Sequence, residues 1–257
     1  MRNRIDTLFE TKKDKILSVY FTAGYPQLND TIEIIDALQS SGCDMIEIGI
    51  PFSDPLADGP VIQHSGNVAL ANGMNLKKLF KQLQHVREQI HIPLILMGYM
   101  NPVMQYGFEK FCADAAAIGI DGLILPDLPP DVYEKQYQQL FLQHGLHNIM
   151  LVTPRTDEPR IRYLEKLGSG FMYVVASSAT TGSATNDNAG QVTYFNKLNG
   201  LKLKLPLMAG FGIGNRQQFQ FVCNHLNGGI IGSAFIKHFD NNIPVSVSIP
   251  KFIQSLI

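Results

Sequence analysis

Eight short apolar runs, separated by longer stretches of helical period, constrain the fold of this chain more than any other feature. The runs are Ile16–Phe21, Met45–Ile50, Leu94–Met97, Leu123–Leu125, Ile149–Val152, Phe171–Ala176, Leu205–Ala209 and Gly229–Ile231. Between them, Leu76, Leu79, Phe80, Leu83, Val86 and Ile90 line one helical face. Tyr133, Tyr137, Leu140 and Phe141 repeat the pattern, as do Phe219, Val222, Cys223 and Leu226. Continuous apolar strands alternating with one-sided helices describe a parallel sheet covered by helices. Eight such strands close most economically into a (β/α)8 barrel, for which about 250 residues is the usual length. An open doubly wound sheet would favour a GxGxxG turn after the first strand, and here that turn reads FTAGYP. A TIM barrel is therefore expected, with a helix before the first strand and residues 1–257 forming a single domain; no linker, charge block or repeat divides the chain.

Two connections are longer than a barrel needs, and both follow predicted strands: Pro51–Pro60 after the second and Ser177–Gln191 after the sixth. In a barrel these open on the C-terminal face, where active sites are built. In DMIEIGIP (44–51) a period of two puts Ile46, Ile48 and Ile50 on one face and Met45, Glu47 and Gly49 on the other. The isoleucines suit packing against helices, so Glu47 points into the barrel, with an unfilled volume expected beside it at Gly49. Burial raises a carboxyl pKa, and a raised carboxyl can donate a proton near neutral pH. The alternative is a structural Glu in a buried salt bridge or cap. The following loop, PFSDPLADGP, presents Asp54 and Asp58 on a proline-stiffened arch. Either could oppose Glu47, or both could be turn residues bonding their own backbone.

Glycine-rich turns point to an anion. AGFGIGN (209–215) follows the seventh run, and GGIIGSAF (228–235) spans the eighth, with Gly232 and Ser233 opening a helix. Barrels commonly bind phosphate with the loops after strands seven and eight, where backbone N–H groups approach closely. GFGIG is not the dinucleotide fingerprint. Tyr173 lies in phase with Phe171 and Val175, either as core or with its hydroxyl in the barrel mouth. The loop SSATTGSATNDNAGQ (177–191) has no proline and almost no apolar content, which is the composition of a lid.

Exclusions narrow the chemistry. His64, His85, His91, His144, His147, His225 and His238 show no HxH or HExxH spacing, and Cys43, Cys112 and Cys223 form no CxxC, so no catalytic metal is expected. No predicted strand presents an inward lysine, so a Schiff base is not expected either. Lys plus Arg number 21 against 22 Asp plus Glu, which argues against a nucleic-acid binder. The polar N-terminus resembles no export signal, no run of 18 apolar residues occurs, and the scattered cysteines fit a reducing compartment. A cytoplasmic protein without membrane contact is expected, performing carboxylate acid–base chemistry on a phosphorylated substrate.

EIGIPFSDPLADGP (47–60) carries a more specific signal. With YFTAGYP (20–26), MNP (100–102), LPDLP (125–129), TTG (180–182), AGFGI (209–213) and IGSA (231–234), it resembles the tryptophan synthase alpha subunit family along nearly the whole chain. The resemblance implies a barrel that cleaves indole-3-glycerol phosphate to indole and glyceraldehyde 3-phosphate by a retro-aldol reaction. It implies that Glu47 is catalytic, selects Asp58 over Asp54 as its partner, and adds Tyr173. It implies phosphate binding at Gly182, Gly212, Gly232 and Ser233, an indole pocket with Tyr20 and Phe211, and a lid containing Thr181. It also implies a pyridoxal-phosphate-dependent beta subunit in an α2β2 complex and no cofactor in this chain. The sixth loop departs from the family: Ala179 stands for a Gly, Thr180 for a Val, and an expected Arg is missing. Two other readings remain, a phosphosugar isomerase or epimerase using Glu47 as base, and a weakly active regulatory partner of a beta subunit.

Overall fold

The first strand, ILSVYFT, is rich in β-branched and aromatic residues, and it lies at the centre of a parallel sheet. The computed structural model describes residues 2–175, 188–210, 212–239 and 243–257. Its strands are β1 (Ile16–Thr22), β2 (Met45–Gly49), β3 (Leu94–Met97), β4 (Gly122–Ile124), β5 (His147–Asn148), β6 (Met150–Val152), β7 (Met172–Val175), β8 (Leu207–Gly210) and β9 (Gly228–Ile231). They follow the order β5-β4-β3-β2-β1-β9-β8-β7-β6. The two ends of that order, β5 and β6, are separated in the chain by Ile149 alone, whose N–H donates to the Leu123 carbonyl at 3.0 Å. They are halves of one strand, the first paired with β4 and the second with β7. The sheet thus closes as an eight-stranded barrel, at the eight runs seen in the sequence.

Alternation along each strand separates two cores. Ile16, Met45, Ile95, Ile124, Ile149, Phe171, Met208 and Ile230 fill the interior of the barrel. Leu17, Val19, Ile46, Ile48, Leu96 and Val174 face outward into the layer beneath the helices. The expected partition of 44–51 holds: Ile46, Ile48 and Ile50 belong to the outer layer, and Met45 belongs to the inner one.

The helix before β1, Arg4–Thr11, closes the N-terminal mouth. Asn3 caps it by accepting the Ile5 N–H at 2.9 Å. Ile5 and Phe9 pack into the barrel interior, the latter against Phe171 at 6.0 Å between ring centroids. A polar latch holds the plug in place. Asp121, 2% exposed just before β4, accepts from Arg4 Nη1 at 3.0 Å, Arg87 Nη2 at 2.5 Å and the Leu94 N–H at 2.9 Å. The opposite mouth is therefore the one left for chemistry.

Three elements differ from the periodicity. The face from Leu76 to Ile90 is a helix only over Leu76–Leu83, followed by a 3-10 turn at Val86–Glu88. The break lets Arg87 reach the carbonyls of Gly119 and Ile92 and the Asp121 carboxylate. The stretch around Tyr133–Phe141 contains a π-helical turn, Tyr133–Tyr137, before the helix Gln138–His144. The loop expected to end at Gln191 gives way earlier, to the helix Asn188–Gly200, whose one-sided pattern is too weak to read in advance. Among the described residues no helix is long and apolar enough to cross a membrane.

Candidate active site

Glu47 sits in the middle of β2 with its side chain inside the barrel and none of its surface exposed. Its Oε1 accepts from Ser18 Oγ at 3.3 Å, and among the described residues its Oε2 has no hydrogen-bond partner. Burial raises its pKa from 4.5 to about 8, an effect moderated by the Ser18 hydroxyl. With no cation beside it among the described residues, burial favours the neutral carboxyl, which avoids the cost of a buried charge.

Tyr20 pairs in register with Glu47 across β1 and β2. The volume expected to stand empty at Gly49 is taken by this tyrosine: a Cβ at Gly49 would lie 2.6 Å from Tyr20 Cζ. Gly49 is thus a slot for the phenol rather than a void. Tyr173, on β7, makes the equivalent approach on the other side of the barrel, where a Cβ at Gly210 would lie 2.5 Å from its Cε1. Burial is the main cause pushing the Tyr173 phenol well above its ordinary pKa, and the charges of Glu47, Asp58 and Tyr20 add to it.

The arch after β2 is held by its own turns, with Leu56 N–H donating to Asp54 O at 3.0 Å and Asp58 N–H to Pro55 O at 3.1 Å. Tyr99, at the start of the helix Met100–Tyr106, accepts the Ala57 N–H at 3.1 Å, and its hydroxyl lies near enough to the Asp58 carboxyl to favour its charged form. Its ring lies 5.5 Å from that of Phe52. Asp127 in turn fixes the start of that helix, accepting the Met100 N–H at 3.0 Å. The two aspartates diverge: Asp54 is exposed beside Ser53, and Asp58 is partly buried. Burial raises the Asp58 pKa from 3.8 to about 6, against the lowering effect of Tyr99. The charge of Asp58 also acts on Tyr20, Tyr99 and Tyr173, so this aspartate belongs to the barrel mouth.

Gly212 and Gly232 follow β8 and β9 on the same face. Gly212 has φ +79°, a conformation that favours glycine. The Gly214 N–H is already taken by Gln218 Oε1 at 2.8 Å. Gly232 precedes the helix Ser233–His238, and a Cβ there would lie 3.5 Å from Tyr20 Cδ1. This glycine corner therefore adjoins the carboxylate site. Thr181, Gly182 and Phe211 lie outside the described residues.

Glu47, Asp58, Tyr20 and Tyr173 thus converge, with Gly212, Gly232 and Ser233 at the ends of the neighbouring strands. Ser18 and Tyr99 were not among the expected site residues. Ser18 was detectable as the one polar residue of ILSVYF, in phase with Tyr20. Tyr99 is contiguous with the MNP motif but carries no local signal of its reach to Asp58.

A closed (β/α)8 barrel with two carboxyls of unequal acidity beside a glycine-rich corner defines an acid–base enzyme. The family model for the tryptophan synthase alpha chain matches residues 7–248. The tryptophan synthase alpha chain of Parabacteroides distasonis is 50% identical over 254 residues, 99% of each chain. That of Flavobacterium johnsoniae is 52% identical over 240 residues, 93% of this chain and 94% of its own. The crystal structure of the alpha subunit from Legionella pneumophila superposes with a TM-score of 0.90 at 32% identity, covering 100% of this chain and 97% of that one. A chain of tryptophan synthase from M. tuberculosis gives 0.86 at 27% identity, covering 99% of this chain and 100% of that one. The chain belongs to the tryptophan synthase alpha chain family. It is a lyase for indole-3-glycerol phosphate, catalysing the alpha reaction of tryptophan biosynthesis.

Proposed function

We propose that Glu47 carries both proton transfers of this cleavage while ionised Asp58 stabilises the charge that develops on the indole ring, and that the difference in their acidity makes these roles possible. With Glu47 titrating at about 8 and Asp58 at about 6, neutral pH leaves the first protonated and the second ionised. The observation that carries the reading is geometric: Glu47 is fully buried inside the barrel with Oε2 unpartnered among the described residues, and Asp58 is only partly buried on the arch that follows its strand.

Breaking the bond between indole C3 and the glycerol chain needs somewhere for the bonding electrons to go. Protonation of C3 by Glu47 makes the indole ring that sink. Positive charge then grows toward the ring N–H, which donates a hydrogen bond to the Asp58 carboxylate. As the C3–C1′ bond breaks, its electrons return to the ring and the C1′ hydroxyl loses its proton, leaving the aldehyde. Glu47, ionised by the first step, takes that proton and is restored. Tyr173 suits this second transfer less well, because burial and its anionic neighbours hold its phenol neutral. It serves instead as a hydroxyl donor at the barrel mouth. Tyr20 lines the indole pocket together with Phe211, and Gly182, Gly212, Gly232 and Ser233 bind the phosphate. Thr181 belongs to the lid.

Under the same proposal residues 1–257 act as one cytoplasmic domain without a cofactor of their own. Indole passes to a pyridoxal-phosphate-dependent beta subunit in an α2β2 assembly. Indole release from indole-3-glycerol phosphate tests the chemistry. Glu47→Gln lowers kcat by about 10²-fold or more with substrate binding retained. Near-normal turnover in that variant contradicts the assignment.

A further inference from the structure

One buried polar contact in the barrel lies on the far side of the reacting groups. Ser18 is inward-facing on β1 and fully buried; its Cα partners are Met45 on β2 and Ile230 on β9, both members of the apolar interior. It therefore sits one pleat below the Tyr20–Glu47 pair, at the top of the apolar floor. From there its hydroxyl reaches up to Glu47 Oε1 at 3.3 Å, and Oε2 is left without a partner among the described residues.

A neutral carboxyl has one oxygen that only accepts and one that carries the proton. Ser18 occupies Oε1, so Oε2, which has no partner among the described residues, is the oxygen left free to carry the proton toward a substrate. We infer that Ser18 is a positioning residue for Glu47, fastening Oε1 from the floor of the barrel so that Oε2 holds and delivers the proton. This rests on the reading of Glu47 as the proton donor. The same contact stays in place after the proton has left, where it stabilises the carboxylate. This accords with the lowering effect of Ser18 on a pKa that burial drives upward. Two consequences follow from removing the hydroxyl. The carboxyl loses its fixed tautomer and orientation, which slows proton delivery, and its ionised form loses a donor, which raises its pKa.

The test compares the wild type with Ser18→Ala and Ser18→Thr in the full chain, using indole release across pH 5.5 to 9.5. Alongside it, the Glu47 carboxyl is titrated by carbon-13 NMR in ligand-free protein. Ser18→Ala lowers kcat about 10-fold with KM within about twofold, and moves the alkaline limb and the NMR midpoint up by about half a unit to one unit. Ser18→Thr, which restores the donor, returns the midpoint to its wild-type position. A midpoint unmoved in Ser18→Ala overturns the proposal, as do equal losses in both variants without any shift, since both results describe packing alone. Glu47→Gln is the control for the underlying reading. If it turns over normally, Glu47 is not the acid, and the NMR midpoint still decides whether Ser18 holds its carboxyl.

Discussion

Two carboxyls in one barrel mouth reach different protonation states because their surroundings differ in kind. Glu47 is enclosed by strands, and its hydrogen bond among the described residues is to Ser18; Asp58 hangs from a loop near Tyr99, whose hydroxyl favours its charged form. A nearby phenol hydroxyl favours the charged form of a carboxyl, so Tyr99 lowers the Asp58 pKa against the effect of burial. The profile of kcat/KM against pH for the wild type accordingly rises through about 6 and falls through about 8. Tyr99→Phe removes that hydroxyl and raises the Asp58 pKa, so less of it is ionised at a given pH. The acid limb then moves to higher pH while the alkaline limb, set by Glu47, stays in place. An acid limb unmoved in Tyr99→Phe means that Asp58 does not set it.

At the scale of elements, two tyrosines are seated by glycines on adjacent strands, Tyr20 over Gly49 of β2 and Tyr173 over Gly210 of β8. Each pair lets a large inward ring lie across its neighbour instead of filling its own strand's place. Gly210→Ala forces the Tyr173 ring aside, which costs about 1–3 kcal/mol of stability as overpacking and moves its hydroxyl from the mouth. Denaturant unfolding and indole release both fall in that variant; unchanged values for both mean the slot is loose. The orientation of Glu47 was legible beforehand because strand alternation needs only the order of residues. Who fills the space at Gly49 was not, since it depends on the register between β1 and β2 and on a rotamer. Tyr99 was hidden for a related reason, lying 41 positions after Asp58 and meeting it only where two loops converge. The break after Leu83 was masked because a 3-10 turn keeps its apolar residue, Val86, facing the same core.

At the scale of the molecule, the barrel is closed asymmetrically. The N-terminal mouth is stopped by Ile5 and Phe9 and latched through Asp121 to Arg4 and Arg87. The interior is apolar from that plug up to Ser18, and the acid–base groups begin immediately above it. The closed barrel was readable in eight apolar runs, although the fifth proved to be a strand shared in halves by two neighbours. The plug's interior contacts were not readable, because they join residues more than a hundred positions apart. The apolar floor beneath Glu47 and its complete burial favour the protonated carboxyl, and the proposed chemistry depends on that state. Carbon-13 titration of the Glu47 carboxyl in the ligand-free protein measures it directly. A midpoint near 8 is expected, with the carboxyl protonated at neutral pH. A midpoint near the ordinary glutamate value, about 4.3, would mean that Glu47 is ionised at neutral pH and has no proton to give.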